Sequence, residues 1–371
     1  MTFVHSAELE ELRASVRRFF ADKSPEPEVR RLMATTVGYE PAVWRQMGSD
    51  LCLQGLMIPE QYGGAGYGFT EMTLVLEEMG RALLPTPFFA TIVLAANALL
   101  LMGDDAANSD YLPGIASGET IATLALTEPG GRWGLEQVQL TATRSSHGHT
   151  LTGVKSFVLD GHIANLILVV ARTDEGLGLF AVDGEAANLV RTPLATMDQT
   201  RKLARLEFAE TPARRIGSAG GAEATLRKML DLTSIALAAE AVGGAQKCLE
   251  MSVDYAKTRV QFGRPIGSFQ AIKHKCANML YEVEASRVAA YHAVSTAAED
   301  SEETPIAASL AVAYCSEAYF QCAVENIHVH GGIGFTWEHP ASLYYKRAKS
   351  SELLFGGPAY HREQLAQRLG V

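Results

Sequence analysis

Arg259-Val-Gln-Phe-Gly-Arg-Pro-Ile-Gly-Ser-Phe-Gln270 follows directly on a long helical pattern and gathers two arginines, two aromatics, two glycines, a proline and two amide side chains. Arg259 and Arg264 offer planar, forked donors that suit phosphate. Gly263 and Gly267 let backbone come close to a ligand. Phe262 and Phe269 offer flat apolar faces on which an adenine or flavin can rest. Composition alone favours a helix end running into a charged loop. The order of the residues carries the rest.

The 371 residues are enough for two or three domains with a sizeable core, and 47% hydrophobic with 20% charged is ordinary for a globular chain. A net charge of −10 argues against nucleic-acid partners and anionic membrane surfaces, while a local cluster such as Arg259/Arg264 still suits a small anion. The first residues lack a basic region followed by an apolar one, so no signal peptide is expected. The apolar run near Ile92–Met102 is about half the ~20 residues of a spanning helix. Cys52, Cys248, Cys276, Cys315 and Cys322 show no metal spacing, and Cys315 and Cys322 fit one core-facing helix surface. A cytoplasmic protein with neither disulfides nor a metal site is expected.

Three segments differ in period. Residues 1–118 read as a helical domain, with amphipathic Glu8–Phe20 and Thr70–Leu84 on either side of a glycine-rich loop at Ile58–Gly68. No strand pattern leads into that loop, which excludes a dinucleotide-binding glycine motif. Residues 119–222 read as a small β domain: Thr120–Thr127 alternates, Val138–Ala142 and Thr150–Val158 flank a polar turn at Ser145–His149, and Leu166–Ala171 and Leu177–Val182 are short apolar runs. Residues 223–371 return to a helical period. Leu232, Ile235, Ala239, Val242, Leu249 and Val253 form one stripe, and further helices are expected near 269–298, 305–330 and 343–354. Gly243-Gly244 inside that pattern costs roughly 1 kcal/mol per glycine against alanine, which points to another backbone passing close by.

Tyr255-Ala-Lys-Thr-Arg-Val-Gln-Phe-Gly-Arg-Pro-Ile266, then Phe269-Gln270, closely resembles a segment of the acyl-CoA dehydrogenase family. The domain order of that family is the same, so the resemblance spans nearly the whole chain. It implies an α+β multi-domain fold with an N-terminal helical domain, a middle β domain and a C-terminal four-helix bundle. It also implies FAD as cofactor, an acyl-CoA thioester as substrate and an electron-transfer protein as acceptor. In that family the Arg, Phe and Gln of this segment contact FAD held by the neighbouring subunit, which here gives Arg259, Phe262 and Gln270.

Three further motifs carry the resemblance. Leu124-Ala-Leu-Thr-Glu-Pro129 matches a Thr-Glu-Pro signature whose backbone amide and hydroxyl reach the flavin, giving Leu126 and Thr127; read as a strand end with a proline stop, it needs no ligand. Gly153-Val-Lys-Ser-Phe-Val-Leu-Asp-Gly161 resembles a second flavin strand, with Phe157 against the ring and Leu159 where many members have a hydroxyl; a core Phe157 on a plain strand fits the segment equally. His328-Val-His-Gly-Gly-Ile-Gly-Phe-Thr-Trp-Glu-His339 resembles a signature whose Gly-Gly, here Gly331 and Gly332, passes the FAD pyrophosphate of the partner subunit. His328 replaces a common Gln and can still donate one hydrogen bond. His328, His330 and His339 lack an acidic ligand at a metal spacing.

The reaction implied by the resemblance removes a weakly acidic α-proton while a hydride passes to the flavin, so a carboxylate base must face the α-carbon. Counting from Ala348-Lys349, the usual position of that base holds Phe355, in Leu354-Phe-Gly-Gly-Pro358. The minority position, 26 residues before Arg259, holds Thr233. Ser234 replaces an Arg that often accompanies the base, and Gly130-Gly-Arg-Trp-Gly134 replaces the family's Ala-Gly-Ser-Asp. Three readings follow. The chain is the base-less subunit of a heteromeric α2β2 enzyme, with steroid side-chain CoA thioesters as the implied substrates. Or it is a homotetramer with another base, for which Glu240, seven residues after Thr233 and on the same helix face, is the first candidate and Asp231 and Glu338 are weaker ones. Or it is a non-catalytic flavin-binding subunit. The first explains why cofactor positions survive where base positions do not.

Overall fold

The computed structural model describes residues 6–145 and 148–371; the chain start, expected to carry no leader, and Ser146 and His147 of the expected turn lie outside the described residues. In chain order the elements are α1 (Ala7–Lys23), α2 (Glu26–Met33), α3 (Pro41–Ser49), α4 (Phe69–Ala82), a π-helix at Phe89–Ala96, α5 (Asn97–Met102) and α6 (Asp105–Ala116). Strands β1 (Ala122–Ala125), β2 (Thr141–Ser145), β3 (Gly148–Leu159), β4 (Leu166–Thr173), β5 (Gly176–Asp183), β6 (Leu189–Pro193) and β7 (Leu203–Ile216) follow. Then come α7 (Ala222–Thr258), β8 (Val260–Gln261), β9 (Arg264–Pro265), α8 (Gln270–Ala298), α9 (Thr304–His330), α10 (Ala341–Leu353) and α11 (Pro358–Leu369). This is the expected α+β class. No helix among the described residues is long and apolar enough to cross a membrane. The chain divides into two compact units: one of residues up to Arg30, Phe69–Leu84 and Ser234–Val371, the other of Arg31–Gly68 and Pro85–Thr233.

The second unit is built on a sheet that closes on itself. β4 lies antiparallel to β5, β5 to β7, β7 to β3 and β3 to β2, and β2 returns to β4 at Thr141–Arg172. β1 runs parallel to β4, and β6 pairs with β7. Alternating inward residues fill the interior: Leu151 and Val158 of β3, Ile167 and Val169 of β4, Phe180 and Val182 of β5, Leu206 and Phe208 of β7. The expected alternation of β1 is not a half-buried strand, because all four residues are buried. The reason is the π-helix packed on it, whose Thr91 hydroxyl donates to the Ala122 carbonyl at 3.1 Å and accepts from the Ala122 amide at 3.2 Å. β2 starts three residues later than the apolar run at Val138, since Leu135–Gln137 forms a 3₁₀ turn that buries Leu135 and Val138 before the strand begins.

In the first unit, α4 and α7 meet backbone to backbone. A methyl group built on Gly243 would stand 1.8 Å from the Glu77 carbonyl oxygen, and one on Gly80 would stand 2.1 Å from that of Glu240. Gly244 faces the Tyr319 ring, with Cζ 2.3 Å from the position of a methyl. These contacts are the close approach that Gly243-Gly244 implied. The stripe expected on α7 is wider than a stripe: every residue from Ser234 to Ala245 is buried, the signature of a helix covered on all sides. Cys315 and Cys322 are core residues, each 1% exposed, and all five cysteines are free. α11, which begins at Pro358 with Gly357 as its N-cap, has no counterpart in the expected helices.

Candidate functional site

β3 carries the first set of candidate residues. Its pairing with β7 advances three residues, from Lys155 to Val158, while β7 advances two, so a β-bulge sits at Ser156–Phe157. Phe157 takes a left-handed backbone, φ +58°, and turns its ring outward, 38% exposed. A non-glycine residue held there stores about 1–3 kcal/mol, and such strain clusters at functional sites. The Ser156 amide donates to the Thr127 carbonyl at 2.8 Å. Leu126 and Thr127 are 4% and 3% exposed, and the buried Thr127 hydroxyl has no hydrogen-bond partner among the described residues. An orphaned hydroxyl beside an outward-turned aromatic is the arrangement that a flat ring with a polar edge would complete. Leu159 is buried, and its carbonyl accepts from the Thr123 hydroxyl.

The segment Arg259–Gln270 is neither a bare helix end nor a loop. Val260–Gln261 and Arg264–Pro265 pair as a hairpin, and both turn residues, Phe262 at φ +52° and Gly263 at φ +78°, are left-handed, as a tight hairpin turn demands. The turn lifts Phe262 into solvent, 91% exposed. Phe269 is otherwise engaged: the Arg264 guanidinium lies 4.2 Å over its ring, and Phe262 meets it edge-on at 6.0 Å. Arg259 and Gln270 are exposed.

α9 ends at Gly331, φ +66°, and no atom lies within 4 Å of a methyl built on either Gly331 or Gly332. His328 stands 3.4 Å from Glu325, while His330 is buried, its Nδ1 2.8 Å from the Asn326 carbonyl and its ring tilted against those of Tyr255 and His339, with centroids at 4.3 and 4.4 Å. Burial lowers the pKa of both His330 and His339. No group of three or more metal-ligating side chains forms among the described residues.

The base positions are occupied as follows. Phe355 is 7% exposed and left-handed at φ +57°, next to Gly356 at φ +105°. Its carbonyl accepts from His361 Nε2 at 3.1 Å, and burial drives the His361 pKa down to about 4, so the ring donates as a neutral imidazole at pH 7. Thr233 is fully buried and gives its hydroxyl to the Met229 carbonyl at 2.9 Å. Glu240 is 6% exposed and bonded by Arg347 at 3.0 Å, itself 3% exposed. A buried carboxylate 3.0 Å from a buried guanidinium has the geometry of a structural ion pair. Asp231 is buried and Glu338 exposed. Sequence reasoning passed over Lys155 and His361, both buried behind candidate positions; the only signal was a lysine at an inward position of β3.

Comparison with known proteins adds to this geometry. Three family models match: acyl-CoA dehydrogenase N-terminal domain over residues 6–119, middle domain over 123–210 and C-terminal domain over 220–370. Acyl-CoA dehydrogenase IpdE2 of Mycolicibacterium smegmatis is 35% identical over 365 residues, 97% of each chain. A solved variant of the Tcur3481-Tcur3483 steroid ACAD superposes with a TM-score of 0.90 at 32% identity, over 98% of each chain. The ChsE4-ChsE5 complex from Mycobacterium tuberculosis does so at 0.91 and 28% identity, over 100% of this chain and 99% of that one.

Proposed function

From the premise that the chain belongs to the acyl-CoA dehydrogenase family, a family of FAD-dependent oxidoreductases, we propose that it is the base-less subunit of a heteromeric member. Bound FAD supplies the two-electron acceptor for α,β-desaturation of a CoA thioester. In this reading Leu126, Thr127 and Phe157 hold the flavin edge and face. Arg259, Phe262, Gln270, Gly331 and Gly332 complete the cofactor site of a neighbouring chain. The observation that carries the proposal is Phe355: a buried phenyl ring at the usual base position cannot take a proton, and Thr233 at the alternative position is tied to its own helix. The ion pair of Glu240 with Arg347 speaks against that carboxylate as a substitute. Two structural relatives, the Tcur3481-Tcur3483 steroid ACAD and the ChsE4-ChsE5 complex, support a paired assembly, and the first supports a steroid-derived acyl group. Five free, scattered cysteines suit the cytoplasm, and an electron-transfer protein is the fitting acceptor.

The chain expressed alone is expected to oxidise no acyl-CoA, steroid thioesters included. Co-expression with a homologous chain that carries a Glu at either base position restores turnover. Robust solo turnover would overturn the proposal.

A further inference from the structure

Lys155 is a lysine with 0% exposure, and its contacts converge on one short segment. Its Nζ donates to the Leu126 carbonyl at 2.9 Å and to Glu128 Oε1 at 2.9 Å. The same carboxylate oxygen accepts from the Gln139 and Leu140 amides, each at 2.9 Å. Between these anchors, the Ser156 amide holds the Thr127 carbonyl at 2.8 Å. Consecutive residues of β3 thus hold three consecutive residues, Leu126 to Glu128. The β-bulge follows directly, at Ser156–Phe157, and Phe157 is exposed.

In a planar trans peptide, the carbonyl of one residue and the N–H of the next point in opposite directions. With the Leu126 carbonyl fixed on the ammonium, the Thr127 N–H must point away from it. A cation on the carbonyl end also polarises the peptide and strengthens that N–H as a donor. Burial pulls the Lys155 pKa down to about 8 against the pull of Glu128, so the side chain still carries its charge at pH 7. Burial alone would raise the Glu128 carboxyl; the Leu140 amide and the Lys155 ammonium hold it below its ordinary value.

We infer that Lys155 is a positioning residue of the flavin site: through the Leu126 carbonyl and Glu128 it aims the amide and the orphaned hydroxyl of Thr127 at the isoalloxazine edge. This rests on the reading that Thr127 faces the flavin. The chemical demand is specific. Only a long, charged donor can reach a carbonyl and a carboxylate at once from inside the sheet, so an apolar or shorter residue leaves the segment untethered.

The test is a double-mutant cycle on FAD binding, with dissociation constants and the visible spectrum of the bound flavin as readouts, in the complete assembly. Thr127→Val is expected to weaken FAD binding several-fold and to shift the flavin bands. Lys155→Met is expected to weaken it about ten- to hundred-fold, the effect of a charge-assisted hydrogen bond. The double variant should bind no worse than Lys155→Met alone, and its bands should match those of the single variants. Unchanged binding and spectrum in Thr127→Val sinks the underlying site reading. A Thr127→Val effect that simply multiplies with that of Lys155→Met, with no coupling, overturns the role of Lys155 while leaving the site reading standing. If Lys155→Met does not fold, Glu128→Gln, which keeps an oxygen for the Gln139 and Leu140 amides, enters the same cycle under the same criterion.

Discussion

Replacing Gly243 by alanine should destabilise this protein, although the same change inside a helix ordinarily gains about 1 kcal/mol. The new methyl would stand 1.8 Å from the Glu77 carbonyl oxygen and 3.0 Å from the Arg81 amide nitrogen. These are backbone atoms of α4, which cannot rotate aside as a side chain does. A carbon–oxygen contact needs more than 3 Å, so α4 and α7 must separate by over an ångström at their crossing. Overpacking of a filled core costs about 1–3 kcal/mol, and more when whole helices have to move. Set against the propensity gain, a net loss of about 2 kcal/mol or more is expected. At roughly 2 °C per kcal/mol for a large domain, Tm falls by about 4 °C or more. Gly80→Ala meets the Glu240 carbonyl at 2.1 Å and should behave alike. The double variant then supplies the sharper assay. One separation relieves both clashes, so its loss in Tm should fall well short of the sum of the two singles. Additive losses, or a raised Tm in Gly243→Ala, would refute the crossing as the cause.

Three further outcomes are expected. Glu240→Gln removes the carboxylate facing buried Arg347 and should lower stability by up to about 3 kcal/mol, read as Tm of the FAD-free chain; an unchanged Tm combined with lost turnover in the assembly would make Glu240 the base after all. His361 has a folded pKa near 4, below its unfolded value, so the unfolded chain binds the proton first and stability falls as pH drops from about 6.5 to 4, by up to about 3 kcal/mol; His361→Gln should flatten that part of the stability–pH curve, and an unaltered slope would count against it. Phe157→Gly should relieve the left-handed backbone, raising the stability of the FAD-free chain by about 1 kcal/mol or less while weakening FAD binding, two opposite signs measured on one variant by Tm and by FAD titration.

Much of the fold was legible because its signals are local. α1, α4, α8, α9 and α10 announced themselves by period, and Gly243-Gly244 announced a helix crossing because glycine in a helix needs compensation. β7 could also have been read, since Ala204, Leu206 and Phe208 alternate with Arg205 and Glu207. β1 could not be read correctly, because its second face is buried by the π-helix, a neighbour that no period within the strand reports. Positions matched through resemblance gave Thr127 and Phe157 but not their conformations: the bulge at Phe157 arises from an offset between β3 and β7, which exists only once the two strands are paired. The tight turn at Phe262-Gly263 was hidden for a different reason, since a phenylalanine at positive φ contradicts its own propensity. Lys155 drew no reading from the sequence, because its burial and its contacts with Leu126 and Glu128 exist only in the fold.

The closed sheet has a consequence for how copies of the chain meet one another. Open strand edges template the pairing of one chain with another. Here the ring from β2 through β3, β7, β5 and β4 consumes its own edges, and the π-helix lies along β1. In this sheet β6 keeps an open edge among the described residues, and it is five residues long, carries Arg191 and ends on Pro193, features that make a poor template for a further strand. A sheet that leaves so little free edge keeps copies of the chain from joining one another strand to strand.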